Sequence, residues 1–462
     1  MSQAVSHRFP KIIWPIAALA LLLAVAGVIR FGSHPAQART ARQHRHPDAL
    51  ARRPAGAPAA AVTPVWVTAA RTPVQSGNWR TAWAAAPQGA VPGNLSQAGF
   101  DNQTIRQIVL ASGGGTMVRV RLSNAFGTRP VRIGRASVAL ERSGPVLAPG
   151  TVRPLTFAGQ PWVIIPPGAQ VLSDPVRLAV PALAHLAVSL YVPTASGPAT
   201  EHVQARQVNY VAAGDRFAAV SGQGFGARTP SWYFLAGVDV LAPARDVGTV
   251  VTLGDSITDG VGSPANANLR WPNDLARRLA RLPGPTLSVA DEGIGGNRVL
   301  NNSACCGVNA VARFQRDVLD QSGVRDVILL EGINDIGFSQ SHKADNLPHT
   351  NVSALQIIDG YEQMIAMAHM AGVRIFGATL LPFRGARYWT AAGEAKRDEI
   401  NHWITTSGAF DGVIDFARVV ADPGHPLRLN PAYDSGDHLH PNAAGYAAMA
   451  NAVDLAALLP RT

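Results

Sequence analysis

Four short clusters in this chain carry residue types that could do chemistry together. The first is Gly254-Asp255-Ser256-Ile257-Thr258-Asp259-Gly260, directly after the apolar run Thr249–Leu253. A serine hydroxyl is a poor nucleophile until a base takes its proton. The second cluster, Asp437-His438-Leu439-His440-Pro441, offers such a base. A carboxylate three residues before an imidazole can fix its tautomer and stabilise its cationic form. His440 could then accept the Ser256 proton and later return it to a leaving group. His438 is a rival for that role. The third and fourth clusters are Gly332-Ile333-Asn334-Asp335 and Gly293-Ile294-Gly295-Gly296-Asn297. Acyl transfer builds negative charge on a carbonyl oxygen, and preorganised donors aimed at that oxygen supply the largest single stabilisation. The Asn334 amide and the backbone N–H groups of Gly296 and Ser256 are the candidate donors, with Gly295 as the alternative to Gly296.

Each cluster has a plainer explanation by itself. Gly-Asp-Ser occurs in ordinary turns, Asp437 could cap a final helix, and Asn334 could be a turn residue. Other chemistries fit less well. An α/β-hydrolase elbow needs glycine two residues after its serine, where this chain has Thr258. The glycines at 293–296 lack the spacing and the following acid of a dinucleotide fingerprint. Asp255 and Asp259 have no second acid at a strand end to make a two-carboxylate glycosidase.

The surrounding elements would place these clusters suitably. After Pro243 the chain alternates strand and helix. Strands are expected at 248–253, 327–330, 373–379 and 412–416, and helices near 271–282, 353–371, 391–405 and 443–459. That alternation implies a parallel sheet covered on both faces, with the active site at the carboxyl ends of its strands. Residues 66–242 read differently. Met117–Leu122 and Ala187–Val192 alternate apolar and polar residues, and turn signals such as Gly113-Gly114-Gly115 separate the runs. An all-β sandwich or jelly roll is expected there. Trp79 and Trp83 read as core or interdomain packing, with a carbohydrate-stacking platform as the sharper alternative.

In this order, Gly254-Asp255-Ser256, Gly296, Gly332-Ile333-Asn334-Asp335 and Asp437–His440 resemble the four blocks of the SGNH (GDSL-type) hydrolase superfamily. The resemblance covers about residues 247–460. It implies a three-layer α/β/α flavodoxin-like hydrolase that needs no metal or other cofactor. It also implies Ser256, Asp437 and His440 as catalytic residues, with Ser256, Gly296 and Asn334 forming the oxyanion hole. The β-rich segment ahead of it looks like the sandwich found in some secreted bacterial members. The domain reading is therefore 1–38 export signal or membrane anchor, 39–65 flexible linker, 66–242 sandwich and 247–460 hydrolase.

Bulk properties agree with an exported enzyme. The net charge of +10 is uneven: eight basic residues against Asp48 give the first 54 residues +7, leaving only +3 for the rest. No basic face or run remains for nucleic acid, so nucleic-acid binding is not expected. Arg8 and Lys11 precede the apolar run Ile12–Ile29, and Ala36-Gln37-Ala38 could be a cleavage site. That run of 18 residues could equally stay as an anchor, giving membrane association. Cys305 and Cys306, the only cysteines, are expected to be free or partly buried thiols, with a strained disulfide ring between the neighbours as the alternative. The expected function is hydrolysis of short-chain esters, on small molecules or on O-acetylated polysaccharide, in a secreted, periplasmic or membrane-anchored location. The alternatives are a lipase, thioesterase or acyltransferase on the same fold, or an inactive glycan-binding surface protein. Segments 301–309 and 339–351 are the expected pocket walls.

Overall fold

The computed structural model describes residues 77–243, 248–283, 286–340 and 346–459. The expected export segment and linker lie outside them, as do residues 341–345 of one expected pocket wall. Among the described residues no helix is long and apolar enough to cross a membrane.

Alternation of side chains shapes the β-rich lobe. In strand Gly115–Ser123, Val118, Val120 and Leu122 are fully buried and point to one face. They meet Val138, Leu186, Val188 and Leu190 of a second antiparallel sheet in one core. The first sheet runs Trp79–Ala84, Leu235–Leu241, Gly115–Ser123, Val176–Val180. The second is built around Gln103–Leu110, His185–Val192 and Arg135–Ser143. Two antiparallel sheets sharing a core make the expected sandwich. The polar face of Gly115–Ser123 is not left to solvent. Arg119 pairs with buried Asp239 at 2.9 Å and also reaches Ser322 Oγ at 2.9 Å.

The second lobe holds a five-stranded parallel sheet. Its strands are β1 Gly248–Gly254, β2 Leu287–Gly293, β3 Val324–Leu330, β4 Arg374–Ala378 and β5 Gly412–Ile414, in spatial order β2-β1-β3-β4-β5. This is the flavodoxin-like order. Helices α1 Trp271–Ala280, α2 Ala354–Met370, α3 Ala391–Thr406 and α4 Ala443–Ala452 pack on it. Their ends follow from local chemistry. Ser353 and Gln356 form a reciprocal capping box at α2, and Asn442 accepts the N–H groups of Ala444 and Gly445 at α4. The single final helix expected to run to residue 459 stops at Ala452. Asp454 restarts a separate turn by accepting the Ala456 N–H at 2.9 Å.

Strand β2 is missing from the expected strands because it carries Asp291 and Glu292 at its end. Glu292 is tolerated in the interior because Gln321 Nε2 donates to its carboxyl at 2.8 Å. The strand is outermost in the sheet, and an open edge would invite pairing with another chain. The β-rich lobe covers it. Ser112 Oγ accepts the Val289 N–H at 2.9 Å, while its own proton lies between the carbonyls of Ala82 (2.7 Å) and Val289 (2.8 Å). The Thr81 N–H reaches Thr249 Oγ1 at 3.1 Å and the Ser322 carbonyl at 2.9 Å. Residues Pro73–Thr462 accordingly form one compact unit.

Trp79 and Trp83 are 6% and 7% exposed, so neither ring is open to a sugar. Trp83 stacks edge-on against Trp232, and the Arg119 guanidinium covers Trp79. They are packing residues, and the stacking-platform reading falls. The cysteine expectation is also corrected: Cys305 and Cys306 are joined in a disulfide. The turn brings the neighbours together through the Cys306 N–H on the Ser303 carbonyl and Asn297 Nδ2 on the Cys306 carbonyl. None of these bonds is visible as a pattern in the sequence.

Candidate active site

Register brings three of the four clusters together. Gly254 at the end of β1 lies opposite Gly293 of β2 and Leu330 of β3. The segments after these strands therefore emerge side by side. A side chain at Gly254 would stand 2.5 Å from the Leu330 carbonyl oxygen, so only glycine allows this approach. Asp255 then caps a single turn, Ser256–Asp259, by accepting the Ile257 N–H at 2.9 Å. Ser256 sits at the head of that turn, 6% exposed.

The loop before α4 supplies the base. His440 Nε2 is 2.8 Å from Ser256 Oγ, and His440 Nδ1 is 2.6 Å from Asp437 Oδ2. Asp437 Oδ1 also accepts the N–H groups of His440 (2.9 Å) and Leu439 (3.0 Å). Partial burial pushes the Asp437 carboxyl up, but these bonds and the imidazole outweigh it and hold it well below the usual carboxylate range. The rival histidine points elsewhere. His438, in the left-handed backbone region at φ +62°, bonds Asp434 at 2.7 Å and keeps 57% of its side chain exposed.

The loop after β2 sorts its N–H groups in an informative way. Ile294 donates to the Gly254 carbonyl, Gly295 to Asp259 Oδ2 at 3.1 Å, and Asn297 to the Ile294 carbonyl. Among the described residues the Gly296 N–H, like that of Ser256, meets no protein acceptor. N–H groups left open beside the nucleophile can serve an incoming oxyanion. Gly296 has φ +76°, and a Cβ there would meet Cys306 Sγ at 2.6 Å. Asn334, at the start of the turn after β3, donates Nδ2 to the Asn297 carbonyl at 3.0 Å and lies 3.4 Å from Asp255 Oδ2. The four clusters thus meet at one place, with a nucleophile, a base, an orienting carboxylate and convergent donors. This arrangement can carry acyl transfer through serine.

Residues 252–448 match the model of the GDSL-like Lipase/Acylhydrolase family. That segment belongs to the family. The chain is a carboxylic ester hydrolase. No curated protein matches the chain. Solved structures similar to it include an acetyl xylan esterase from Geobacillus stearothermophilus, at 20% identity, 44% of this chain, 91% of that one and a TM-score of 0.35. A GDSL-like lipase from Bacteroides thetaiotaomicron VPI-5482 aligns at 17% identity, 46% of this chain, 87% of that one and a TM-score of 0.33. A member of the lipolytic protein G-D-S-L family from Veillonella parvula DSM 2008 aligns at 15%, 44%, 94% and 0.31.

Two residues of this acylhydrolase site gave no signal in the sequence. Arg313, 1% exposed, ties three segments together. Its guanidinium donates to the Gly254 carbonyl (3.0 Å), the Glu292 carbonyl (2.7 Å) and Asn297 Oδ1 (3.0 Å), and pairs with Asp317 at 3.3 Å. Tyr388 donates its hydroxyl to Asn334 Oδ1 at 3.2 Å, which turns the amide so that Nδ2 faces the serine turn. Removing that bond by Tyr388→Phe is expected to lower kcat about 3–10-fold with KM unchanged, the size of one neutral hydrogen bond. Steady-state kinetics on p-nitrophenyl acetate checks this. An unchanged kcat would mean that Asn297 and Asp255 alone orient the amide. Asp335, in the same block, is structural: it accepts the N–H groups of Val299 (2.7 Å) and Leu300 (3.1 Å), and burial raises its carboxyl to about 7.

Proposed function

We propose that this chain is an exported serine esterase that hydrolyses short-chain carboxylic esters, with O-acetyl groups on carbohydrate as its substrate class. The observation that carries the reading is the continuous hydrogen-bonded line from Asp437 through His440 to Ser256 Oγ. His440 takes the Ser256 proton as Oγ attacks the ester carbonyl. The oxyanion falls to the N–H groups of Gly296 and Ser256 and to the Asn334 amide. Collapse expels the alcohol, which takes the proton from His440, and leaves the acyl group on Ser256. Water, deprotonated by His440, then attacks the acyl-enzyme and releases the acid.

Crowding at the oxyanion loop supports a short acyl group. A side chain at Gly296 would meet the Cys306 sulfur at 2.6 Å and the Phe338 ring at 3.4 Å, and Tyr388 stacks edge-on against Phe338. The open, polar pair His438–Asp434 beside the triad suits a hydroxyl-rich alcohol portion. Export is supported by Arg8 and Lys11 ahead of the apolar run Ile12–Ile29, and by the Cys305–Cys306 disulfide, a bond that persists in oxidising compartments.

A chain-length series tests the substrate. On p-nitrophenyl esters, kcat/KM is expected to fall by about tenfold or more from butyrate to octanoate, as extra methylenes lose their place in the pocket. A rise toward octanoate would instead identify a lipase. Release of acetate from acetylated polysaccharide is expected, and its absence would sink the carbohydrate assignment. Recovery of the full chain in the cytosolic fraction of its host would sink export.

A further inference from the structure

Among the side chains that the β-rich lobe sends into the acylhydrolase lobe, His202 reaches the turn that carries Ser256. His202 lies on the two-residue strand Glu201–His202, paired with Trp232–Tyr233, and is 3% exposed. Its Nδ1 is 3.0 Å from the Ala86 carbonyl oxygen and its Nε2 is 3.2 Å from Asp259 Oδ1. The Ala86 carbonyl only accepts, so Nδ1 donates; toward the Asp259 carboxylate Nε2 donates as well, which makes the ring an imidazolium. Burial alone would lower the affinity of His202 for its proton. The Asp259 charge and bond outweigh that and raise it. The other ionisable groups at this junction are Arg270, stacked over Trp232, and Asp291 of β2, which with Gly293 and Ala84 line the same small space.

Asp259 hands the contact onward. Its second oxygen accepts the Gly295 N–H at 3.1 Å. The next N–H in the chain is that of Gly296, which among the described residues has no protein acceptor. A Gly-Gly step has no side chain to hold its peptide and ranges over more conformations than any other dipeptide. Something outside the loop must fix it if Gly296 is to point at an oxyanion. A buried ion pair contributes little to stability by itself, because desolvation offsets its attraction. Here the pair ends on the backbone that needs holding.

We propose that His202 is a positioning residue for ester hydrolysis, acting through Asp259 to fix the Gly295–Gly296 peptide and aim the Gly296 N–H at the oxyanion. The sandwich lobe is thereby part of the catalytic apparatus rather than an appended module. This rests on the serine-esterase reading above.

The test uses the full chain with Asp259→Asn, His202→Ala and His202→Gln. Kinetics on p-nitrophenyl acetate, the rate of Ser256 labelling by a p-nitrophenyl phosphonate, and the thermal unfolding midpoint are measured for each. Asp259→Asn and His202→Ala are expected to lower kcat and the labelling rate together by about 10–100-fold, part of the loss seen when an oxyanion donor is removed. KM should stay within about threefold, because the ground-state ester makes weaker use of the hole. His202→Gln, whose amide can still donate to Asp259, should recover most of the rate. Folded variants with wild-type kcat would overturn the proposal, as would a loss confined to KM or a glutamine variant as slow as alanine. If His202→Ala does not fold, the isosteric Asp259→Asn decides by the same criteria. A wild-type protein that neither turns over ester nor reacts with phosphonate would instead refute the esterase reading, and this inference with it.

Discussion

Replacing Ser256 with alanine is expected to lower kcat on p-nitrophenyl acetate by about 10⁴–10⁶-fold while the unfolding midpoint stays where it was. His440→Ala is expected to do nearly the same. Nucleophile and base act as a unit, so losing either costs almost as much as losing both, and a double variant should be scarcely worse than either single one. Stability is largely spared because the change removes one oxygen atom and one side-chain hydrogen bond, Ser256 Oγ to His440 at 2.8 Å. The rate expected to survive is that of the proposed oxyanion donors, Gly296 and Asn334, which the substitution leaves in place. Full activity in Ser256→Ala would remove the acyl-enzyme mechanism altogether. The pH profile follows from the same geometry. Asp437 is held ionised far into acid by its bonds from His440 and Leu439. It therefore stays ionised, and keeps its hold on the imidazole, throughout the working range. A depressed carboxyl contributes stability above its ordinary range and loses it only as the pH falls through the lowered value.

Arg313→Leu is expected to be the most damaging single change away from the triad. The guanidinium is fully buried and satisfies the carbonyls of Gly254 and Glu292 while facing Asp317 and, at 3.8 Å, Glu331. Leucine fills most of the volume but removes the cation facing buried Glu331 and the donor to the Glu292 carbonyl, while Asp317 keeps Arg316 at 2.5 Å. Breaking such a buried pair from one side costs about 3–5 kcal/mol. The unfolding midpoint should drop on the order of 10 °C. Activity should fall as well, since Gly254 precedes the serine turn and Asn297 follows the oxyanion loop. The loss also has a pH sense. Burial first, then neighbouring carboxylates, hold Glu292 and Glu331 well above the ordinary range, and Arg313 opposes that rise. Protons kept by the folded state and released on unfolding make stability fall as pH rises through the interval. Without Arg313 the interval widens upward, so the deficit against wild type should grow as the pH rises through it. Thermal melts of both proteins across the pH range check it, and a deficit that does not change with pH would assign the damage to packing alone.

Most of the acylhydrolase fold was legible because its strands and helices are written in local patterns. The apolar run Thr249–Leu253 is uninterrupted, and Ser353–Gln356 and Thr390–Gly393 mark helix starts by residue type. Strand β2 was not legible. Its Glu292 looks like a loop residue until Gln321, contributed from another segment, donates to the buried carboxyl. The alternation in Met117–Leu122 was legible, but its polar face meets the neighbouring lobe instead of water, because Asp239 and Ser322 are there to receive Arg119.

The sequence by itself determined what could be written in neighbouring residues. The order of the four clusters, the serine after a strand, and the three-residue spacing of Asp437 and His440 all reflect bonds made within one turn of chain. Tertiary structure decided the rest. It placed His440 rather than His438 on Ser256, joined Cys305 to Cys306, and left the Gly296 N–H as the open donor of its loop. It also carried His202 to Asp259 and Arg313 to the ends of two strands. Apart from the bond between the neighbouring cysteines, these depend on contacts between segments far apart in the chain. Their energy depends on which groups burial brings within hydrogen-bond distance, and no local pattern of residue types encodes that distance.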